Sequence, residues 1–163
     1  MSQRDILIIF GPTASGKSYI ANKVANKNDA AIINSDSLQI YKDLHILTDR
    51  PSEQNISRYD HRLYGILNGN NNCTAALWLD KAIEEINLCF KENILPIIVG
   101  GTGLYIKVLM EGISQIPNIK KEIKEEVDSL LKSKGITFLY NEIKKKYKAT
   151  KIIFNYKQRI VRI

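Results

Sequence analysis

The sequence predicts an α/β fold, a parallel sheet flanked by helices, followed by a separate basic helical segment. Three observations carry this expectation. Short apolar runs at residues 6–10, 30–34 and 94–99 alternate with helix-compatible stretches, a pattern that builds parallel sheets with right-handed crossovers. A glycine-bearing loop separates the first apolar run from the first helical stretch. Beyond Gly112 the apolar runs give way to Lys- and Glu-rich helical segments.

Residues 5–10 read as the first strand and 16–27 as the first helix. Between them lies Gly11-Pro12-Thr13-Ala14-Ser15-Gly16-Lys17-Ser18, a G-x-x-x-x-G-K-S loop. Backbone N–H groups of such a loop curl round phosphate oxygens, and Gly11 and Gly16 permit conformations that a side chain would block. The helix that follows points its positive end at the same anion. Lys17 adds a compact charge on a long stem, and Ser18 offers a hydroxyl to Mg²⁺. Strand, loop and helix in this order make the expected fold P-loop NTPase-like and the expected ligand a di- or triphosphate.

Residues 30–34 form a second buried strand, which puts 35–42 at a strand C-terminal end, where ligands of open α/β sheets collect. Residues 61–67 are a third strand or an extended loop, and 68–72 a turn-rich break. Over 74–93 the period is helical, with Ala75, Leu79, Ala82, Ile83, Ile86 and Phe90 on one face and Glu84, Glu85 and Lys91 outside. Residues 94–99 make a further buried strand despite Pro96 near its start. The chain turns at 100–103, and 104–110 opens a helix. Pro117 begins a helical stretch that runs to about Lys134. Gly135 breaks it, 137–147 make a second helix, and 155–163 begin a third. The organisation is therefore a phosphate-binding core over 1–112 and a basic helical segment over 113–163.

Composition agrees with this outline. A chain of 163 residues, 44% hydrophobic and 25% charged, is long enough for a packed core. The five-residue apolar run near the N-terminus is too short for a signal peptide, and no apolar run reaches membrane-spanning length. Cys73 and Cys89 have no metal-binding spacing, and free thiols fit a cytoplasmic protein. The net charge of +7 is unevenly placed. Residues 1–111 carry 11 Lys/Arg against 12 Asp/Glu, whereas 112–163 carry 13 against 5. A neutral core with a basic appendage suits either a polyanionic partner or a solvated Lys-rich helical surface.

Two further segments carry chemistry. Ser35-Asp36-Ser37-Leu38-Gln39-Ile40-Tyr41 places Asp36 towards the phosphate site, as a Mg²⁺ ligand, a base, or simply a helix cap. Val99-Gly100-Gly101-Thr102-Gly103-Leu104-Tyr105 lets backbone approach a ligand and sets the Thr102 hydroxyl at the sheet's ligand edge; the same word also suits an ordinary strand-to-helix turn. His61 alone reads as structural before catalytic.

Taken in order, the phosphate loop, the Asp36–Tyr41 word, the Thr48-Asp49-Arg50-Pro51-Ser52 turn, the GGTGLY word and Gln158-Arg159-Ile160-Val161-Arg162 resemble the tRNA dimethylallyltransferases along essentially the whole chain. The resemblance implies transfer of a dimethylallyl group from dimethylallyl diphosphate to N6 of adenosine 37 in tRNAs that read codons starting with U. It casts the phosphate loop as the cradle of a diphosphate leaving group, with Lys17 and the loop amides as donors to its charge, Mg²⁺ as cofactor and Ser18 as the ligand of Mg²⁺. It makes Asp36 the general base and sets Thr13 and Thr102 along the channel where diphosphate and adenine meet. It gives Ser37, Leu38 and Gln39, with Asp36 and Thr102, to the flipped-out base. The basic segment over 113–163 resembles the start of the helical insert that grips the anticodon stem; Gln158, Arg159 and Arg162 match a tRNA-contacting helix, and Lys120, Lys121, Lys124 and Lys144, Lys145 and Lys146 are candidate phosphate contacts on the anticodon stem-loop. The enzyme is expected to act as a monomer without a membrane partner.

Asn34-Ser35 stands where the family usually has Ser-Ala, Leu38 where Met is common and Arg62 where a second His is common; none removes a group the chemistry needs. Family members run to about twice this length, so the chain is expected to be C-terminally truncated. Rival readings are an ATP-dependent small-molecule or nucleoside kinase, a prenyltransferase acting on free adenine nucleotides, and a non-catalytic RNA-binding remnant that holds tRNA without turnover.

Overall fold

Four parallel strands make the sheet: β1 (Leu7–Phe10), β2 (Ala30–Asn34), β3 (Asp60–Arg62) and β4 (Leu95–Gly100), in the order β1-β4-β2-β3. The computed structural model describes residues 4–113 and 119–146. β4 is central. It pairs with β1 from Leu7↔Ile97 to Phe10↔Gly100 and with β2 from Ala30↔Leu95 to Asn34↔Val99. Pro96 fits because of where it falls. The Leu95 N–H turns towards the β2 side and donates to Asp29 O. The nitrogen of Pro96 therefore faces β1, where pairing begins only at Ile97.

The period-two alternation of the strands divides the core between two faces. Ala31, Ile33 and Ile98 pack with α3 (Ala75–Glu92) and α4 (Gly103–Glu111). Ile32, Ile97 and Val99 pack on the other face with Ala21 of α1 (Lys17–Ala25). Helices on both faces of a parallel sheet fulfil the expected fold class.

α3 is fixed at both ends. The Thr74 hydroxyl accepts from Leu77 N at its start, and Asn93 closes it in the left-handed region at φ 58°. Its buried stripe is Trp78, Ala82, Ile86 and Cys89. Ile83, expected on that face, is 45% exposed, and Trp78 takes the central place instead. A stripe read from apolar residues alone gave Trp78 too little weight, although it carries the largest side chain.

The third strand is shorter than residues 61–67. It ends at Arg62, because Leu63 (φ 61°) and Gly65 (φ 58°) are left-handed and cannot continue a strand. Residues 65–67 instead turn back onto 39–42: Gly65 N donates to Gln39 O, Leu67 N to Ile40 O, and Lys42 N to Leu67 O. Arg62 secures β3 to α3. Its guanidinium lies 2.6 Å from Asp60, 2.7 Å from Glu92 and 3.4 Å from Glu85, and Asp60, followed by Glu92, raises its pKa still further. The helix α2 (Glu53–Arg58), capped by Ser52, had no sequence expectation. Six mostly polar residues offer no apolar period to detect.

The chain divides into two compact units, Met1–Ser114 and Gln115–Ile163. In the second, α5 (Lys121–Lys146) is broken at Gly135 (φ 77°, ψ 172°), the expected position. The expected helix over 155–163 lies outside the described residues. No helix among the described residues is long and apolar enough to cross a membrane.

Gly100 is a tight joint in the core. A Cβ there would overlap the backbone of Ser35. Gly100→Ala is expected to destabilise the protein by about 1–3 kcal/mol, the usual cost of overpacking, read as a lower urea midpoint. An unchanged midpoint would mean that the Ser35 backbone moves freely.

Candidate active site

The glycine-bearing loop occupies the C-terminal edge of the sheet, between β1 and α1. Gly16 has φ 81° with open space around it, so the sign of φ and not crowding favours glycine there. Ala14 is also left-handed at φ 62°, a strained state for a residue with a Cβ. Gly11 is different. It has no positive φ, and a Cβ would only come within 3.3 Å of the Ser15 Oγ, so the conformational demand expected of it rests on Gly16 and Ala14. α1 starts on Gly16 without a side-chain cap, which leaves its first N–H groups directed at the loop. The Lys17 ammonium donates to Pro12 O at 2.5 Å and is thereby held over the same loop.

Asp36 is positioned by a buried amide. Asn34 is fully buried. Its Oδ1 accepts from Asp36 N at 2.9 Å, and its Nδ2 donates to Asp36 O at 3.0 Å and Leu63 O at 3.1 Å. Trp78 Nε1 donates to Asn34 O at 2.8 Å, and its indole stacks on Tyr105 at 4.4 Å between ring centres. Asp36 Oδ1 accepts from Leu38 N at 2.9 Å and more weakly from Gln39 N. One oxygen thus does the capping; Oδ2 has no hydrogen-bond partner among the described residues and lies on the Gly101 side.

Thr102 connects the two words. Its Oγ1 accepts from Ser37 N at 2.9 Å, and its own N–H donates to Ser35 O at 3.3 Å. The hydroxyl proton stays available. Gln39 Nε2 donates to Thr48 O at 2.7 Å, and Arg50 Nη1 to Tyr41 O and Lys42 O, which ties the Thr48–Ser52 turn to the same edge.

These segments enclose a cleft of about 450 Å³. It brings together Thr13, Ala14, Ser15, Gly16, Lys17, Ser18, Asp36, Leu38 and Gln39. Gly11, Pro12, Ser37 and Thr102 are not among its lining residues; Pro12 holds Lys17, which is, whereas Ser37 and Thr102 bond each other. Gln158, Arg159 and Arg162 lie outside the described residues. The cleft also takes Tyr19, Leu47, Thr48, Asp49 and Tyr64, which the sequence reading did not assign to a site. The residues at Thr48–Ser52 mark a turn, but nothing local says that it faces the loop. A polar annex of about 180 Å³ adjoins, shares Ser18, Asp49 and Tyr64, and reaches Asn22, Asn55 and His61.

His61 is held by its aromatic neighbours. Its Nδ1 sits 3.0 Å from Tyr59 O, and its ring meets Tyr59 and Tyr64 edge-on. Burial lowers its pKa, outweighing that hydrogen bond and Asp60. In the second unit, Lys121 pairs with Glu125 at 3.6 Å and Lys145 with Glu142 at 2.7 Å, while Lys144 lies over the Tyr140 ring.

Comparison with known proteins follows the same lines. A family model described as IPP transferase matches residues 39–163, and one described as isopentenyl transferase matches residues 4–72. The tRNA dimethylallyltransferase of Zymomonas mobilis is 45% identical over 84% of this chain and 44% of its own length. That of Pelagibacter ubique is 41% identical over 88% and 46%. Among solved structures, a eukaryotic dimethylallyltransferase acting on tRNA superposes with a TM-score of 0.81 at 25% identity, over 96% of this chain and 40% of the other. The tRNA isopentenylpyrophosphate transferase of Bacillus halodurans gives 0.67 at 25%, over 98% and 54%. The chain spans less than half the length of these two sequence relatives.

The lowered His61 pKa sets a pH dependence. The unfolded imidazole, near 6.5, takes up a proton before the folded one. The stability His61 contributes is therefore complete above that value and is lost as pH falls through it towards the lower folded pKa. Melting temperature is expected to drop between pH 7 and 5, and His61→Gln to flatten part of that slope. Parallel slopes for the two proteins would contradict this.

Proposed function

This chain belongs to the IPP transferase family, and from that premise we propose that its protein transfers a dimethylallyl group from dimethylallyl diphosphate to N6 of adenosine 37 in tRNAs reading codons that start with U. The observation that carries this reading is the shared cleft. A phosphate loop with an uncapped helix start and a carboxylate with one free oxygen face the same space.

The chemistry follows from those groups. The N6 lone pair attacks the allylic C1 of the donor. The C1–O bond breaks, and its electron pair leaves on the diphosphate. Loop amides and Lys17 meet the charge that develops there. N6 gives up a proton, and Asp36 Oδ2 is the acceptor available to it. Asn34 and the Leu38 N–H fix the other parts of Asp36, so its free oxygen does not wander. Thr102 steadies Ser37 and retains a donor for the incoming base or diphosphate. Leu38, 55% exposed, offers an apolar surface to an adenine ring.

Magnesium fits the donor set. The Ser18 hydroxyl and the Asp49 carboxylate line the same cleft and would hold it as hard oxygen donors, which leaves Asp36 Oδ2 to the proton. When bound, it supplies charge neutralisation for the leaving diphosphate. We assign the tRNA anticodon stem-loop as the partner of the Lys-rich second unit, and a cytoplasmic, monomeric enzyme as its setting.

The kinase alternative uses the same loop for ATP. Calorimetric titration with dimethylallyl diphosphate and with ATP, each with Mg²⁺, separates the two. Dimethylallyl diphosphate is expected to bind at least about tenfold more tightly than ATP, and Lys17→Ala to weaken it by about tenfold or more, the scale of a lost charge-assisted contact. Preferential binding of ATP would establish the kinase reading instead.

A further inference from the structure

Tyr64 has no place in the scheme above, yet its position is closely determined. Leu63 and Gly65 on either side are both left-handed, at φ 61° and 58°, so the chain turns sharply around it. Its ring packs against the cluster of Ala21, Ile32, Ile97 and Val99 and meets His61 edge-on at 5.4 Å. It lines both the phosphate cleft and the polar annex, with Ser18 and Asp49. Its hydroxyl makes no hydrogen bond to any described residue, which leaves its proton free for a ligand in the cleft.

We propose that the Tyr64 hydroxyl donates a hydrogen bond to the anion that occupies the phosphate cleft, which makes Tyr64 a further ligand-binding residue; this rests on the diphosphate reading above. Burial, and after it the charge of Asp36, raises the phenol pKa, so the group stays protonated and neutral. A neutral donor complements the loop's other contacts. Lys17 contributes charge and is shared with Pro12 O, whereas Tyr64 contributes direction from a rigid ring. A bond from a neutral hydroxyl to an anion is charge-assisted and stronger than one between neutral groups.

The test is calorimetric titration of the full chain with inorganic pyrophosphate and Mg²⁺, for wild type, Tyr64→Phe and Lys17→Ala. Phenylalanine keeps the ring and its packing, and thermal melting without ligand reports any loss of fold. Tyr64→Phe is expected to weaken pyrophosphate binding by at least about fivefold, within the range for a bond to a charged group, with melting within about 2 °C of wild type. For comparison at equal foldedness if melting drops further, the titration is run well below the variant's midpoint. A loss smaller than about fivefold in Tyr64→Phe, with Lys17→Ala impaired, overturns the role of Tyr64 and leaves the diphosphate reading intact. Failure of wild type to bind pyrophosphate overturns both.

Discussion

The side-chain amide of Asn34 is the joint on which the cleft is built. It ends β2 in full burial, where an unpaired amide would cost about 1–3 kcal/mol. Every polar atom it has is therefore committed, two bonds to the backbone of Asp36 and one to Leu63. Trp78 takes its backbone carbonyl and brings α3 and, through Tyr105, α4 to the same point. The sheet, two helices and the strap from β3 thus converge on the residue two places before Asp36. Packing on one face of the sheet becomes orientation of a carboxylate at its edge.

The phosphate loop depends on a different kind of constraint. Its shape is set by backbone sign, at Gly16 and Ala14, and its charge by Lys17 turned back onto Pro12 O. Gly101 brings β4's end close to Gly11 O, at 3.3 Å for a notional Cβ, and Gly100 leaves room for the Ser35 backbone. The adjacent glycines of the GGTGLY word therefore keep two backbones close together, while Thr102 fastens the result to Ser37. A leaving group and a proton acceptor are held by separate devices that meet at one edge of the sheet.

Much of this was legible in the sequence because it is local. Loop, strand and helix around Gly11–Ser18 declare themselves through spacing, and the Gly135 break in α5 through a single residue type. The resemblance carried by the Asp36 and GGTGLY words led to the family that the comparisons identify. What stayed hidden is long-range. The stacking of Trp78 on Tyr105, the burial of Asn34 and the arrival of Tyr64 and Asp49 at the cleft depend on contacts between residues far apart in the chain. The choice between strand and extended loop over 61–67 stays open in the sequence because Leu63 gives no sign of its positive φ, and α2 is silent there because its only strong signal is the Ser52 cap.

The central claim is that a diphosphate cradle and a proton acceptor act on one substrate pair. The most direct measurement charges the protein with labelled dimethylallyl diphosphate and Mg²⁺, adds tRNA, and counts label in the RNA for wild type and Asp36→Asn. The account expects label to pass to adenosine with wild type and to fall by about 10²–10⁴-fold in the variant, the range for loss of a general base. RNA that binds wild type in a salt-sensitive way but acquires no label would contradict it and leave an RNA-binding protein without chemistry.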